Sequence, residues 1–133
     1  MAYENEKRFV KLFVKKGRKQ RLLYLLTDPQ KRYAGLERFC HEAEELLDGK
    51  KLLMRGDDLT RRPEFIRFIA ERNEPCLVLS PSLQTEGIRL FAVDAVGFAE
   101  RCCDAVLAIG GTFALVFGEP EKGGRQKYLL SAE

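Results

Sequence analysis

The sequence predicts an α/β fold bordering on α+β, with N-terminal helices followed by strands and helices in the order βαβαβββ. Three observations carry that prediction. Apolar residues recur at spacings of three and four through the first third of the chain, as amphipathic helices require. Short apolar runs at Lys51–Arg55 and Cys76–Ser80 then flank a further helical pattern. Near the C-terminal end two apolar runs are joined by Gly110-Gly111, a composition suited to a tight primed turn between antiparallel strands.

In the first helix Phe9, Leu12 and Phe13 share one face, and Gly17 interrupts the run. A second helix is expected over Arg18–Leu26, ending before Pro29 because the residue preceding a proline is pushed out of the α region. A third starts near Asp28 as N-cap, with Pro29 at the first helical position. It carries Leu36, Phe39, Cys40, Ala43, Leu46 and Leu47 and stops at Gly49. After the strand Lys51–Arg55 comes a helix over Arg61–Arg72, with Thr60 as N-cap and Pro63 in its first turn. The unbroken apolar run Cys76–Ser80 reads as a strand buried on both faces. Residues 81–91 read as a loop, and a helix is expected over Ala92–Cys102. A last strand covers Lys127–Ala132, where imperfect alternation suits a sheet edge.

The strand–helix–strand unit implies parallel neighbours joined by a right-handed crossover. The C-terminal meander must be antiparallel, because its connections are too short to cross over. The expected architecture is a mixed sheet of about five strands with helices on both faces.

At 133 residues the chain fits one domain, 1–133, in which a helical region 1–49 packs on a sheet region 50–133. A chain of that size buries roughly 65–70% of its unfolded surface and needs no disulfide or metal to fold. With 45% apolar and 32% charged residues it is expected to be globular rather than disordered. No window approaches the roughly 20 apolar residues of a membrane span, and the N-terminus lacks a signal-peptide core, so a cytoplasmic location is expected. Cys40, Cys76, Cys102 and Cys103 are read as free thiols.

Few residues point to chemistry. His41 is the only histidine and adjoins Cys40, but neighbours on a helix project about 100° apart and cannot form a Cys–His pair. One histidine and no Cys-x-x-Cys leave no metal site, and the glycine pairs match no phosphate-binding motif, so no cofactor is expected. Asp57 and Asp58 follow the first strand, where one of them would cap the next helix. With Ser80, Ser82, Gln84, Thr85 and Glu86 they would form a polar rim if the first two strands were neighbours. That rim is the basis of an alternative function, a small-ligand site or enzyme.

Charge is the stronger signal. The net charge is only +3, yet residues 7–21 hold eight basic residues and no acidic one. Lys7, Lys11, Lys15 and Arg18 fall on one side if the first helix runs through Gly17, and Lys16, Lys19 and Arg21 extend the patch. No nucleic-acid-reading motif accompanies them. The expectation is a non-enzymatic binding module that uses this basic face to contact an acidic partner, protein or nucleic acid. A homodimer through an exposed Lys127–Ala132 edge is a further possibility.

Overall fold

The N-terminal periodicity becomes four helices in the computed structural model, which describes residues 3–83, 87–121 and 124–132. They are α1 (Glu4–Phe13), α2 (Lys19–Thr27), α3 (Arg32–His41) and α4 (Ala43–Leu46). The first helix does not run through Gly17. It ends where Val14 turns extended and bridges Leu47, and a 3-10 turn at Lys16–Arg18 leads into α2. The long third helix is also corrected. Asp28 accepts the Gln30 N–H on its side chain at 2.9 Å and the Arg32 N–H on its carbonyl, so Pro29 lies in a turn and the helix begins at Arg32. A buried Glu6–Arg32 ion pair at 2.6 Å ties α1 to α3.

The strands are β1 (Leu52–Arg55), β2 (Pro75–Leu79), β3 (Ile88–Phe91), β4 (Val106–Ile109), β5 (Phe113–Phe117) and β6 (Lys127–Ser131). They form one six-stranded sheet in the order β1-β6-β5-β4-β2-β3. Helices α5 (Pro63–Arg72) and α6 (Ala92–Arg101) complete the chain. The mixed α/β class stands, with corrections. The sheet has six strands rather than about five, and every neighbouring pair is antiparallel. β1 and β2 run in the same direction but are separated by β6, β5 and β4, so they are not parallel neighbours.

The extra strand lies in the segment expected to be a loop. Ile88–Phe91 pairs with β2, with Val78 opposite Ile88 and Pro75 opposite Phe91. Since β3 and β4 are both antiparallel to β2, they are parallel to each other, and α6 carries the chain across β2 between them. Four residues with Arg89 among them give too little alternation to declare a strand from sequence. The Lys127–Ala132 edge is corrected too: β6 lies between β1 and β5, with all five of its residues buried, so the edges are β1 and β3.

The unbroken apolar runs of the central strands follow from cover on both faces, because alternate side chains enter different cores. On one side Leu107 and Ile109 of β4 join Ala114, Val116 and Leu130 under Phe9, Phe13, Leu22, Leu36 and Phe39 of the first helices. On the other, Val106 and Ala108 join Leu115, Phe117 and Leu129 under Phe65, Ile69, Ala92, Ala95 and Ala99 of α5 and α6. The Gly110-Gly111 turn is not of the primed type, since neither glycine takes a positive φ. Its Gly110 N–H bonds the Phe113 carbonyl at 2.8 Å, and Glu74 accepts the Thr112 N–H at 2.8 Å. Thr60 does not cap α5, which starts with Pro63 after Arg62; its hydroxyl donates to Glu100 instead. Among the described residues no helix is long and apolar enough to cross a membrane.

Candidate functional site

The corner between α1 and α2 gathers the basic residues. Val14 bridges Leu47, and the backbone N–H of Lys15 donates to the Leu46 carbonyl at 2.8 Å, which pins the corner against the end of α4. The chain must reverse there, so Lys15, Lys16 and Arg18 all project from the turn and are exposed. Lys7 and Lys11 stand one turn apart on α1, both exposed, and Arg21 is exposed on α2. Lys19, half-buried, donates to the Lys11 carbonyl and so joins the start of α2 to the end of α1. The cations therefore wrap a folded corner instead of lining one straight helix. Among the described residues none of the seven forms an ion pair.

Beside this corner lies an apolar groove of about 80 Å³ between α2 and α3. Two helical stripes build it. Arg18, Arg21, Leu22 and Leu25 lie at i, i+3, i+4 and i+7 from the corner into α2, and Gly35, Arg38, Phe39 and Glu42 repeat that spacing along α3. Gly35 is required for the close approach, because a Cβ there would stand 2.7 Å from Leu25 Cβ. Leu22 and Phe39 are buried at its base and Leu25 is half-buried, while Arg18, Arg21 and Arg38 stand exposed at its lip. Arg38 faces Glu42 at 3.5 Å.

The residues expected to form a polar rim lie at one end of the sheet, but they are not brought together. Asp57 accepts the backbone N–H of Arg125 at 2.8 Å. Gly124 takes φ +134 beside it, where a Cβ would come within 2.6 Å of the Asp57 carboxylate. Asp58 caps no helix; it bonds Arg62 at 2.7 Å, and that guanidinium holds its carboxyl below the ordinary value. Beyond three intervening strands, Ser82 donates to the Asp104 carboxylate and Ser80 Oγ lies 3.5 Å from Cys102 Sγ. Gln84, Thr85 and Glu86 lie outside the described residues.

What joins this end is Arg125, which nothing in the sequence singled out. Its buried guanidinium donates to the carbonyls of Gly118, Ala99 and Asp104, each at 2.6 Å. Burial lowers its pKa, while neighbouring thiols and Glu100 favour the charge. A polar cleft of about 210 Å³ opens next to it, lined by His41, Asp57, Glu119, Glu121 and Tyr128. Glu37, hydrogen-bonded to Glu119, holds the Glu119 carboxyl above the ordinary carboxylate value; burial and the charges of Glu37 and Asp104 act in the same sense, and His41 opposes them. Cys40 is buried in the core and His41 is exposed, so the two do not act as a nucleophile and base. Cys102 is half-buried and Cys103 exposed, and all four thiols are free. Among the described residues no cluster of side chains fits a metal ion.

No protein-family model matches the chain, and comparisons with curated proteins and with solved structures find no match.

Proposed function

We propose that this protein is a non-enzymatic cytoplasmic interaction module whose α1–α2 corner contacts an acidic macromolecular partner. One observation carries the reading. Lys7, Lys11, Lys15, Lys16, Arg18 and Arg21 are exposed on one corner and meet no acidic side chain among the described residues. Solvated charge of one sign on a rigid corner steers encounter with the opposite sign and is screened by salt. The strand-end groups have less to offer a ligand. Arg125 already bonds backbone carbonyls, Asp57 the Arg125 N–H, Asp58 the Arg62 guanidinium and Ser82 the Asp104 carboxylate.

The test is fluorescence anisotropy with labelled polyglutamate, single-stranded RNA and duplex DNA at about 50 and 200 mM salt, a range over which several charge contacts cost orders of magnitude in affinity. The expected result is salt-sensitive binding that is lost when Lys15, Arg18 and Arg21 are changed together to Glu. Binding that survives the triple change removes the corner from the mechanism. The alternative, a small-ligand site at the strand ends, is favoured by the displaced Glu119 carboxyl in the cleft. It predicts that Asp57→Asn and Glu119→Gln alter ligand-induced thermal shifts in a metabolite screen while changes at Lys15 and Arg18 do not.

A further inference from the structure

The basic corner alone fits any polyanion, but the groove beside it is more selective. Resting on the reading just proposed, we infer that the groove between α2 and α3 seats one branched apolar side chain of an acidic peptide segment of a partner protein. Carboxylates on either side of that anchor meet Arg18, Arg21 and Arg38.

Three features define the occupant. The first is size: about 80 Å³ is several times the space a water needs and roughly half of the ~150 Å³ apolar cavity that takes benzene, which matches a single aliphatic side chain. The second is chemistry. The wall and base are Leu22, Leu25, Phe39 and Leu46, and the exposed polar groups at the lip are arginines, apart from Glu42, which Arg38 already faces. An apolar anchor ringed by carboxylates complements that pattern point for point, because guanidinium groups bind carboxylates through paired donors. The third feature separates a peptide from a nucleic acid. Bases are held without sequence preference by stacking on exposed aromatic rings. Phe39 is only 1% exposed, and the exposed Tyr24 on α2 is already engaged by Lys31, whose Nζ stands 5.0 Å from the ring centroid and 3.0 Å from the hydroxyl. A phosphate backbone would find the lysines but would leave the groove empty. Helical and extended segments that present one anchor to such a groove are a recurrent mode of peptide recognition.

The test uses the whole chain and three fluorescein-labelled probes: a nonapeptide of Asp and Glu around one central Leu, the same peptide with central Ala, and single-stranded RNA. The expected result is that the Leu peptide binds about tenfold more tightly than the Ala peptide, the ratio reflecting the extra methylenes removed from water. Arg18→Glu with Arg21→Glu, both exposed on the surface, should abolish binding of both peptides while circular dichroism stays native. Equal affinity for the two peptides overturns the groove while leaving the basic corner as a general acidic-partner site. Binding of RNA with no binding of either peptide overturns the peptide assignment in favour of nucleic acid. Loss of all three interactions overturns both this inference and the reading on which it rests.

Discussion

Removing the guanidinium of Arg125 is the most exacting test of how this sheet is closed. Its three donors each bond a carbonyl at 2.6 Å, joining the start of β6 to the end of β5, the last turn of α6 and the segment before β4. In Arg125→Ala those carbonyls lose their partners. A buried acceptor left unsatisfied costs about 1–3 kcal/mol, but the neighbouring cleft admits water, so the lower end of the range applies to each. Loss of the guanidinium over the Phe117 ring, its Cζ 5.3 Å from the centroid, adds to the total, and relief from burying a charge subtracts from it. The net expectation is a loss of about 4 kcal/mol, a large share of the 5–15 kcal/mol that holds a domain together. With an unfolding entropy of about 2.1 cal/mol/K per residue, 133 residues give ~0.28 kcal/mol/K, so Tm falls by about 14 °C.

Urea denaturation followed by circular dichroism measures the loss directly, provided the m value stays unchanged. Arg125→Met separates the contributions. It keeps most of the stem and none of the donors, so it should recover less than half of the deficit. A loss below about 1 kcal/mol in Arg125→Ala, or wild-type stability in Arg125→Met, would show that the three carbonyls are adequately served by water and that Arg125 does not staple the sheet end.

The buried Glu6–Arg32 pair predicts that Glu6→Ala costs about 3–5 kcal/mol in urea denaturation, because it removes the carboxylate that compensates a buried guanidinium, while replacing both residues by Leu recovers most of the loss. A cost under about 1 kcal/mol for Glu6→Ala refutes that account of how α1 is held to α3. Burial pushes the Cys76 thiol up to about 12 and raises Cys40 as well, so a thiol reagent at neutral pH should label Cys103 fast and reach Cys40 and Cys76 only through unfolding. Similar rates for all four thiols would refute the packing described. Glu119 titrates above its ordinary range in the folded state, so proton binding there favours folding and that contribution is lost as pH rises through the raised pKa. Glu119→Gln should therefore be more stable than wild type at neutral pH and converge with it below pH ~4, by thermal melts across the range. A pH-independent difference would rule out the Glu37–Glu119 contact as its source.

Local periodicity made part of this fold legible. Helix α6 falls within one residue of its expected end because Ala92, Ala95 and Ala99 repeat at three and four, and β4 and β5 are apolar throughout because both faces are covered. What failed was non-local. β6 reads as an edge because its alternation is imperfect, yet its opening Lys127 is 8% exposed, its Nζ 3.2 Å from Glu100 on α6 and 3.2 Å from Thr60. No window around Lys127 contains Glu100. The parallel strands are β3 and β4, on either side of β2, rather than β1 and β2, for the same reason. β3 is too short to announce itself, and without it α6 has no strand on its N-terminal side. At the candidate site, the basic residues and the spacing 18, 21, 22, 25 are plain in the sequence. The matching stripe 35, 38, 39, 42 gains meaning only when Gly35 lets the two helices close on each other.

The modest net charge conceals a strong internal asymmetry, and α3 is where its two signs meet. One stripe of α3 supplies Arg38 and Phe39 to the groove beside the basic corner, and the next turn of its surface supplies His41 to the cleft that Asp57, Glu119 and Glu121 make acidic. Glu42 borders the groove and also the surface that continues the cleft past Glu44 and Glu45. On the proposed reading, an acidic segment lying along α2 would be attracted at Arg18 and Arg21 and repelled where it extends beyond the Arg38–Glu42 pair toward Glu45. Its register would then be set by repulsion as much as by attraction, which is how charged surfaces acquire specificity without large contact area. Neutralising Glu42, Glu44 and Glu45 to Gln should then broaden the range of acidic peptides bound, and slow dissociation of long ones more than of short ones, in the same anisotropy assay. Unchanged selectivity after that triple change would mean that the acidic flank plays no part in choosing the partner.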